Sequence, residues 1–411
     1  MTKLYKKTIY EAVGRDPVHP FPARMAPGIA LDIIEAEPAP IRILDPMMGS
    51  GTVLAVARAC GHKAIGVDID PLAVLLARVW TTTVDVEAVG DKANEVLSRA
   101  REDFRSRRVA NAYPSLADEE TRRFVRYWFD GYARRQLACL SDAIHRVRHD
   151  TIRDALWCGF SRLIITKQAG ASLAMDLSHS RPHKTFEYAP IKPFNKFLPA
   201  IGQVLKNCIS KDQRDKGPAT TVNEGDARKL AIDSNSIDLI LTSPPYLNAI
   251  DYMRCSKFSL VWMGYNVGEL GDIRTASVGS EAGSADARDN PIVKEIISDL
   301  KLNPKLSSRH ESVLAHYVDD MHQAVKEATR VLVPGGKAIY VVGENTVRGT
   351  YIPNSHLVSA VAQMSGLEID SRKSRALPAN RRYLPPPSKN AGAALDGRMR
   401  REVILSFSKS A

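Results

Sequence analysis

The stretch Ile41-Arg42-Ile43-Leu44-Asp45-Pro46-Met47-Met48-Gly49-Ser50-Gly51-Thr52 carries the reading on which the fold turns. Ile41 to Leu44 is a short β-rich run that ends in Asp45-Pro46 and a glycine loop, and Thr52 to Cys60 has the spacing of a helix. Ala64 to Val67 predicts a second strand. Asp70-Pro71 then predicts a helix start, with Asp at the N-cap and Pro at the first helical position. Strand, loop, helix, strand, helix in this rhythm argues for an α/β fold with a parallel sheet and right-handed crossovers.

Outward from this unit the rhythm lapses between about Val84 and Thr220. Arg-rich helical segments (Val86 to Arg108, Asp118 to His149) precede a Pro- and Lys-containing stretch from Ser180 to Pro218. The rhythm resumes at Thr220 to Val222 and at Ile237 to Leu241, followed by a helix over Asn248 to Met263. Gly264 to Ser308 reads as a mobile loop with one short helix around Ile292 to Leu300. Glu311 to Leu332 predicts a long helix stopped by Pro334-Gly335-Gly336. Lys337 to Val342, His356 to Met364, Leu367 to Ser371 and Glu402 to Phe407 predict a strand, a helix and two strands. The expected organisation is residues 1–83 as the first half of one α/β domain, 84–219 as a helical insertion, and 220–411 as the second half with the loop 264–308.

Two motifs carry chemistry. In Asp45 to Thr52 the glycines let backbone approach a ligand, and the helix that follows offers free N–H groups and a positive dipole end. Asp68, 17 residues beyond Gly51 at the end of the second strand, is placed to accept hydrogen bonds from ribose hydroxyls. The loop lacks the lysine of a P-loop, so a nucleoside ligand without a triphosphate fits it better. The second motif is Ser243-Pro244-Pro245-Tyr246, directly behind the apolar run Ile237 to Leu241. Two prolines end a strand and leave carbonyls aimed outward. A hydroxyl before them and a ring after them form an acceptor and stacking platform for a planar base with an exocyclic amine.

With both motifs in place, the chain resembles the S-adenosylmethionine-dependent amino methyltransferases of DNA, the family of N4-cytosine and N6-adenine methylases. The D-P-x-x-G-S-G-T loop and the S-P-P-Y tetrad are that family's two diagnostic motifs, and Ser243 in place of Asp is similar to the N4-cytosine branch. Weaker matches are His19-Pro20-Phe21-Pro22-Ala23-Arg24, Gly225-Asp226-Ala227 and Pro334-Gly335-Gly336. Met47 stands where the family usually has Phe, and the glycine loop precedes the tetrad, whereas many N4-cytosine enzymes have the halves permuted. The resemblance covers roughly residues 17 to 83 and 220 to 408.

What it implies is a Rossmann-like sheet of seven mostly parallel strands, with S-adenosyl-L-methionine as cofactor. The methionine part would lie over Gly49 and Gly51 near Asp45, with Asp68 on the ribose and Asp226 near the adenine. Pro46, Met47, Thr52 and Ile69 belong to the same pocket. Ser243, Pro244, Pro245 and Tyr246 would hold a flipped base during methyl transfer to cytosine N4 in DNA. Adenine N6, a base amine in RNA, and a nucleic-acid-binding protein on a degenerate methyltransferase fold stand as alternatives.

Composition agrees with a nucleic-acid partner. The 411 residues carry 57 Lys+Arg against 46 Asp+Glu, a formal charge of +11, with 44% hydrophobic residues. From Arg372 to Arg401 there are nine Lys/Arg and one acid, Asp396. Arg381 and Arg382 within that stretch are the expected phosphate contacts. No run reaches the ~18 apolar residues of a spanning helix, and the first residues do not build a signal peptide. Five scattered cysteines without a C-x-x-C pair argue against a zinc site or disulfide framework. A cytoplasmic protein is expected, and the histidines show no metal spacing.

Overall fold

The computed structural model describes residues 7–21, 25–38, 40–177, 182–211, 217–245, 247, 252–280, 285–302, 306–347, 350–376 and 401–410. Seven strands form one sheet: β1 (Arg42–Asp45), β2 (Lys63–Asp68), β3 (Thr221–Glu224), β4 (Ile237–Thr242), β5 (Leu332–Gly343), β6 (Leu367–Ala376) and β7 (Arg401–Lys409). Their order is β6-β7-β5-β4-β1-β2-β3. Only β7 runs antiparallel to its neighbours. The sheet is the Rossmann-like, mostly parallel one expected. From β1 the chain moves outward to β2 and β3 on one side, and from β4 to β5 on the other. The two series meet where β1 pairs with β4, Ile43 opposite Leu239 and Leu44 opposite Ile240. In open α/β sheets the crevice at the carboxyl ends of two such strands binds ligands.

Successive strand residues point to opposite faces, and both faces are covered. Leu44, Ile240 and Tyr340 pack with the helices α8 (Ser308–Val331) and α9 (Asn354–Met364). Ile43, Leu239, Leu241 and Ile339 pack on the other side with α1 (Thr52–Ala59). Helix α2 (Pro71–Thr81) is buried all round because it lies between two layers. Val74 and Ala77 face the sheet, whereas Leu72, Leu76 and Trp80 face a further layer. That layer comprises α3 (Val86–Ser106), α4 (Gly131–His145), α5 (Asp150–Ile164) and α6 (Pro193–Asn207), together with α7 (Met253–Leu260) behind the tetrad. Each fully buried leucine there contributes about 1.5–3 kcal/mol. Helices α3 to α6 therefore share one continuous core with α2 and α7.

Several local expectations differ from the structure. The Asp118–His149 segment is two helices, Glu119–Trp128 and α4, because the Asp130 carboxylate accepts from the Tyr132 and Ala133 amides and caps a new helix. Among the described residues of 264–308 there are two α-helices, Val267–Ala276 and Pro291–Asp299, the first started by an Asn266/Glu269 capping box. Pro334-Gly335-Gly336 lies inside β5 as an irregularity, since Leu332 pairs with Ile237 and Lys337 with Leu239. Among the described residues no helix is long and apolar enough to cross a membrane.

Candidate active site

The loop after β1 is built by glycines that no other residue could replace without strain. Gly49 and Gly51 have φ of 51° and 86°. A Cβ on Gly51 would also stand 3.0 Å from Ala77 Cβ and 3.2 Å from Ala77 Cα, so α1 and α2 approach closely only because it is absent. The Met48 amide donates to Val67 O (3.1 Å) and the Gly51 amide to Met48 O (2.9 Å), which turns the chain into α1 with the free N–H groups of its first turn at the crevice. Pro46 is buried and Met47 half-buried, while Thr52 opens the helix. Phe21 lies over Gly49, 3.9 Å from the position a Cβ would take, and stacks on Tyr252 with ring centroids 6.0 Å apart. Ser50 Oγ is buried with no hydrogen-bond partner among the described residues.

Three carboxylates line this loop. The Gly49 amide donates to Asp68 Oδ2 (2.8 Å) and the Asp70 amide to Asp68 Oδ1 (2.9 Å). Asp70 caps α2 by accepting from the Leu72 amide (2.9 Å), and its other oxygen accepts from Ser256 Oγ of α7 (2.6 Å). Asp45 Oδ1 accepts from the Met47 amide (3.2 Å) and from Thr242 Oγ1 (2.7 Å). Burial pushes the Asp45 and Asp70 carboxyls up to about 7 and raises Asp68 as well. Ile69 sits half-exposed between the two acids.

Asp226 follows β3, and the Gly225 amide donates to Asp68 O (3.0 Å), so its turn adjoins the crevice. Its carboxylate is gripped by Arg228 two residues on, with guanidinium contacts of 3.0, 3.0 and 2.7 Å. Arg228 also donates to Asp320 (2.5 Å) of α8 and to Ala276 O (2.6 Å). This fork makes Asp226 a structural node as well as a neighbour of the crevice.

The tetrad leaves β4 beside the loop. Ser243 Oγ donates to Val341 O of β5 (3.0 Å), which commits its proton and leaves its lone pairs to accept. Pro245 O accepts from the buried Tyr317 hydroxyl of α8 (3.0 Å). Pro244 is buried and Pro245 half-buried. Tyr246, Arg381, Arg382 and Pro22 to Arg24 lie outside the described residues. Tyr317→Phe is expected to lower unfolding stability by about 1–3 kcal/mol by leaving the Pro245 carbonyl unpaired, which urea unfolding would measure; a change below about 0.5 kcal/mol would contradict this role. Thr242, Ser256 and Tyr317 escape a reading of the sequence, although Thr242 immediately precedes the tetrad. Among the described residues no group of three or more His, Cys, Asp or Glu is placed to hold a metal.

No family model matches the chain. The chain is similar to the type II methyltransferase M.MvaI of Kocuria varians, 24% identical over 94% of this chain and 89% of that protein. It is also similar to the type II methyltransferase M.MjaII of Methanocaldococcus jannaschii, 19% identical over 69% of this chain and 68% of the relative. A solved SAM-dependent methyltransferase from Methanosarcina mazei aligns with 10% identity and a TM-score of 0.34, over 92% of this chain and 97% of that one.

Proposed function

We propose that the protein is an S-adenosylmethionine-dependent DNA methyltransferase that modifies the exocyclic amine of a flipped base, cytosine N4, in a modification or defence role. The observation that carries the reading is the Thr242–Asp45 hydrogen bond of 2.7 Å. It ties the glycine loop and the tetrad together at the one place where the strand order reverses. The two type II methyltransferases, similar over most of the chain, support DNA as the polymer modified.

The residues present fit the cofactor. The cradle over Gly49 and Gly51, the orphaned Ser50 hydroxyl and the free amides at the start of α1 suit the polar methionine end. Asp68 is half-exposed beside the loop, as a ribose ligand must be, and Asp45 offers an anion to a cationic group. When bound, S-adenosylmethionine supplies an electrophilic methyl group on a sulfonium. Ser243 Oγ and Pro244 O accept the two N–H groups of the target amine, whose lone pair is otherwise delocalised into the ring. Drawn toward a tetrahedral geometry, the nitrogen would present that lone pair to the methyl carbon; as the N–C bond forms the S–C bond would break, its electron pair leaving on a neutral thioether, and the proton shed by the amine would pass to water. Such positioning supplies up to ~7–11 kcal/mol in well-oriented systems. Tyr246 stacks on the extruded base, worth about 1–3 kcal/mol against an unstacking cost of a few kcal/mol. Arg381 and Arg382 hold phosphates.

Incubating the protein with methyl-labelled cofactor and separate DNA and RNA pools, then digesting to nucleosides, tests the reading. Label in N4-methylcytosine of DNA is expected. Label in N6-methyladenine or RNA would move the substrate, and no label in either pool would overturn the enzyme.

A further inference from the structure

A second surface stands out on the helical layer. The helix Glu119–Trp128 buries only Thr121 and Val125 and presents Arg122, Arg123 and Arg126 to solvent. Beside it Tyr127, Tyr132 and Tyr188 are 54%, 49% and 71% exposed. With Met175 they make four of the ten exposed large apolar side chains among the described residues, concentrated on one side of the layer. Exposed apolar side chains that gather on one face, unlike single ones, mark interaction surfaces.

Two of these rings carry a cation, as does the ring of Tyr113 nearby. Lys184 Nζ lies 4.9 Å from the Tyr127 centroid, and Lys192 Nζ 5.9 Å from that of Tyr132. Arg122, Arg126 and Arg134 surround the ring of Tyr113 at 5.7, 5.8 and 4.8 Å. A cation resting on an aromatic face keeps its N–H donors outward and has already lost much of its side-chain freedom, so an incoming anion costs less entropy. Two of the nearby acids are already engaged: Glu119 pairs with Arg126 at 2.6 Å, and Asp130 accepts from the Tyr132, Ala133 and Ala189 amides. Glu120 and Glu187 remain as exposed acids.

The surface is fixed to the crevice. The Leu173 amide donates to Trp128 O (2.8 Å) and the Ala189 amide to Asp130 Oδ2 (2.7 Å), tying Leu173 and Ala189 to the helix pair. Phe124 and Trp128 pack on Phe258 of α7, with centroids 5.2 and 5.0 Å away. The same α7 reaches the cofactor loop through Ser256 and Asp70.

Resting on the methyltransferase reading, we propose that this lysine- and arginine-on-tyrosine surface grips the phosphate backbone of duplex DNA flanking the target base. The cations supply sequence-independent attraction, and the tyrosines cover the sugar edges. Target-base chemistry stays with Ser243 and its neighbours.

The test measures binding of a duplex of about 30 base pairs across a salt series, using the full chain and a triple variant, Arg122→Gln, Lys184→Gln and Lys192→Gln. At about 0.9 for each phosphate no longer neutralised, the slope of log affinity against log salt should flatten by about 3. Cofactor affinity, read by calorimetry, should not change. Tyr188→Ala should weaken duplex binding severalfold without altering the slope. Lys337→Gln, paired with Glu37 midway along β5, should leave the slope as in the parent. A parent protein that binds and methylates duplex DNA while the triple variant keeps its slope, or an equal flattening in Lys337→Gln, would overturn this surface alone. A parent protein with no affinity for duplex DNA would overturn the methyltransferase reading and this surface with it.

Discussion

Ser243→Ala is expected to lower methyl transfer by at least about 100-fold while leaving cofactor affinity within about twofold. The hydroxyl donates its only proton to Val341 O, so toward the crevice it acts as an acceptor alone. Removing one preorganised polar group that acts on the reacting centre costs on the order of 10²–10³ in rate in other enzymes. The cofactor loop does not depend on Ser243, because Asp45 is held by Thr242 and the Met47 amide. The Val341 carbonyl loses one side-chain donor at the variant, a stability cost of about 1 kcal/mol. Single-turnover transfer at saturating cofactor, beside calorimetric binding, separates the two effects. Transfer at the parent rate would contradict the acceptor geometry, and a parallel loss of cofactor affinity would place Ser243 in the cofactor pocket instead.

The local part of this site was legible because its punctuation is local. Asp-Pro, Gly-x-Gly and a second Asp-Pro mark the ends of β1 and β2 and the starts of α1 and α2 to within one or two residues. Helix α6 escapes because Pro199 sits inside it and Pro193 at its start, so the Pro- and Lys-containing stretch Ser180 to Pro218 shows no helical signal. The Val267–Ala276 helix had a capping box at Asn266 and Glu269, but lies amid Gly and Ser that mask its period. The pairings that assemble the crevice were not legible at all. Thr242 meets Asp45, Ser256 meets Asp70 and Tyr317 meets Pro245 across 197, 186 and 72 residues of sequence. Such pairs are created by strand order, which a periodicity of 2 or 3.6 does not encode. The capture of Asp226 by Arg228, only two residues away, is the opposite case: a local fork that a resemblance to a cofactor ligand overshadowed.

Raising the pH from about 5 to 8 is expected to destabilise the cofactor-free protein and, over the same range, to tighten its hold on the cofactor. Asp45 and Asp70 titrate near 7 when folded because burial disfavours their charged forms. In the unfolded chain they titrate near 4. Between these values the folded state binds protons that the unfolded state does not, so stability is fully present below about pH 4 and falls as pH rises through 7. The slope is about 1.4 kcal/mol per pH unit for each group, or on the order of 2–3 kcal/mol per group between pH 5 and 7. Urea midpoints across that range should therefore fall. Asp70→Asn keeps an amide oxygen to cap α2 and should make the fall shallower, and Asp45→Asn should do the same. Equal slopes in the parent and both variants would refute the assignment. A cationic cofactor beside Asp45 favours the ionised carboxylate, so its affinity should rise about tenfold from pH 6 to 8 and level off above 7. In Asp45→Asn that rise should vanish together with most of the affinity, since the amide can neither ionise nor neutralise the charge.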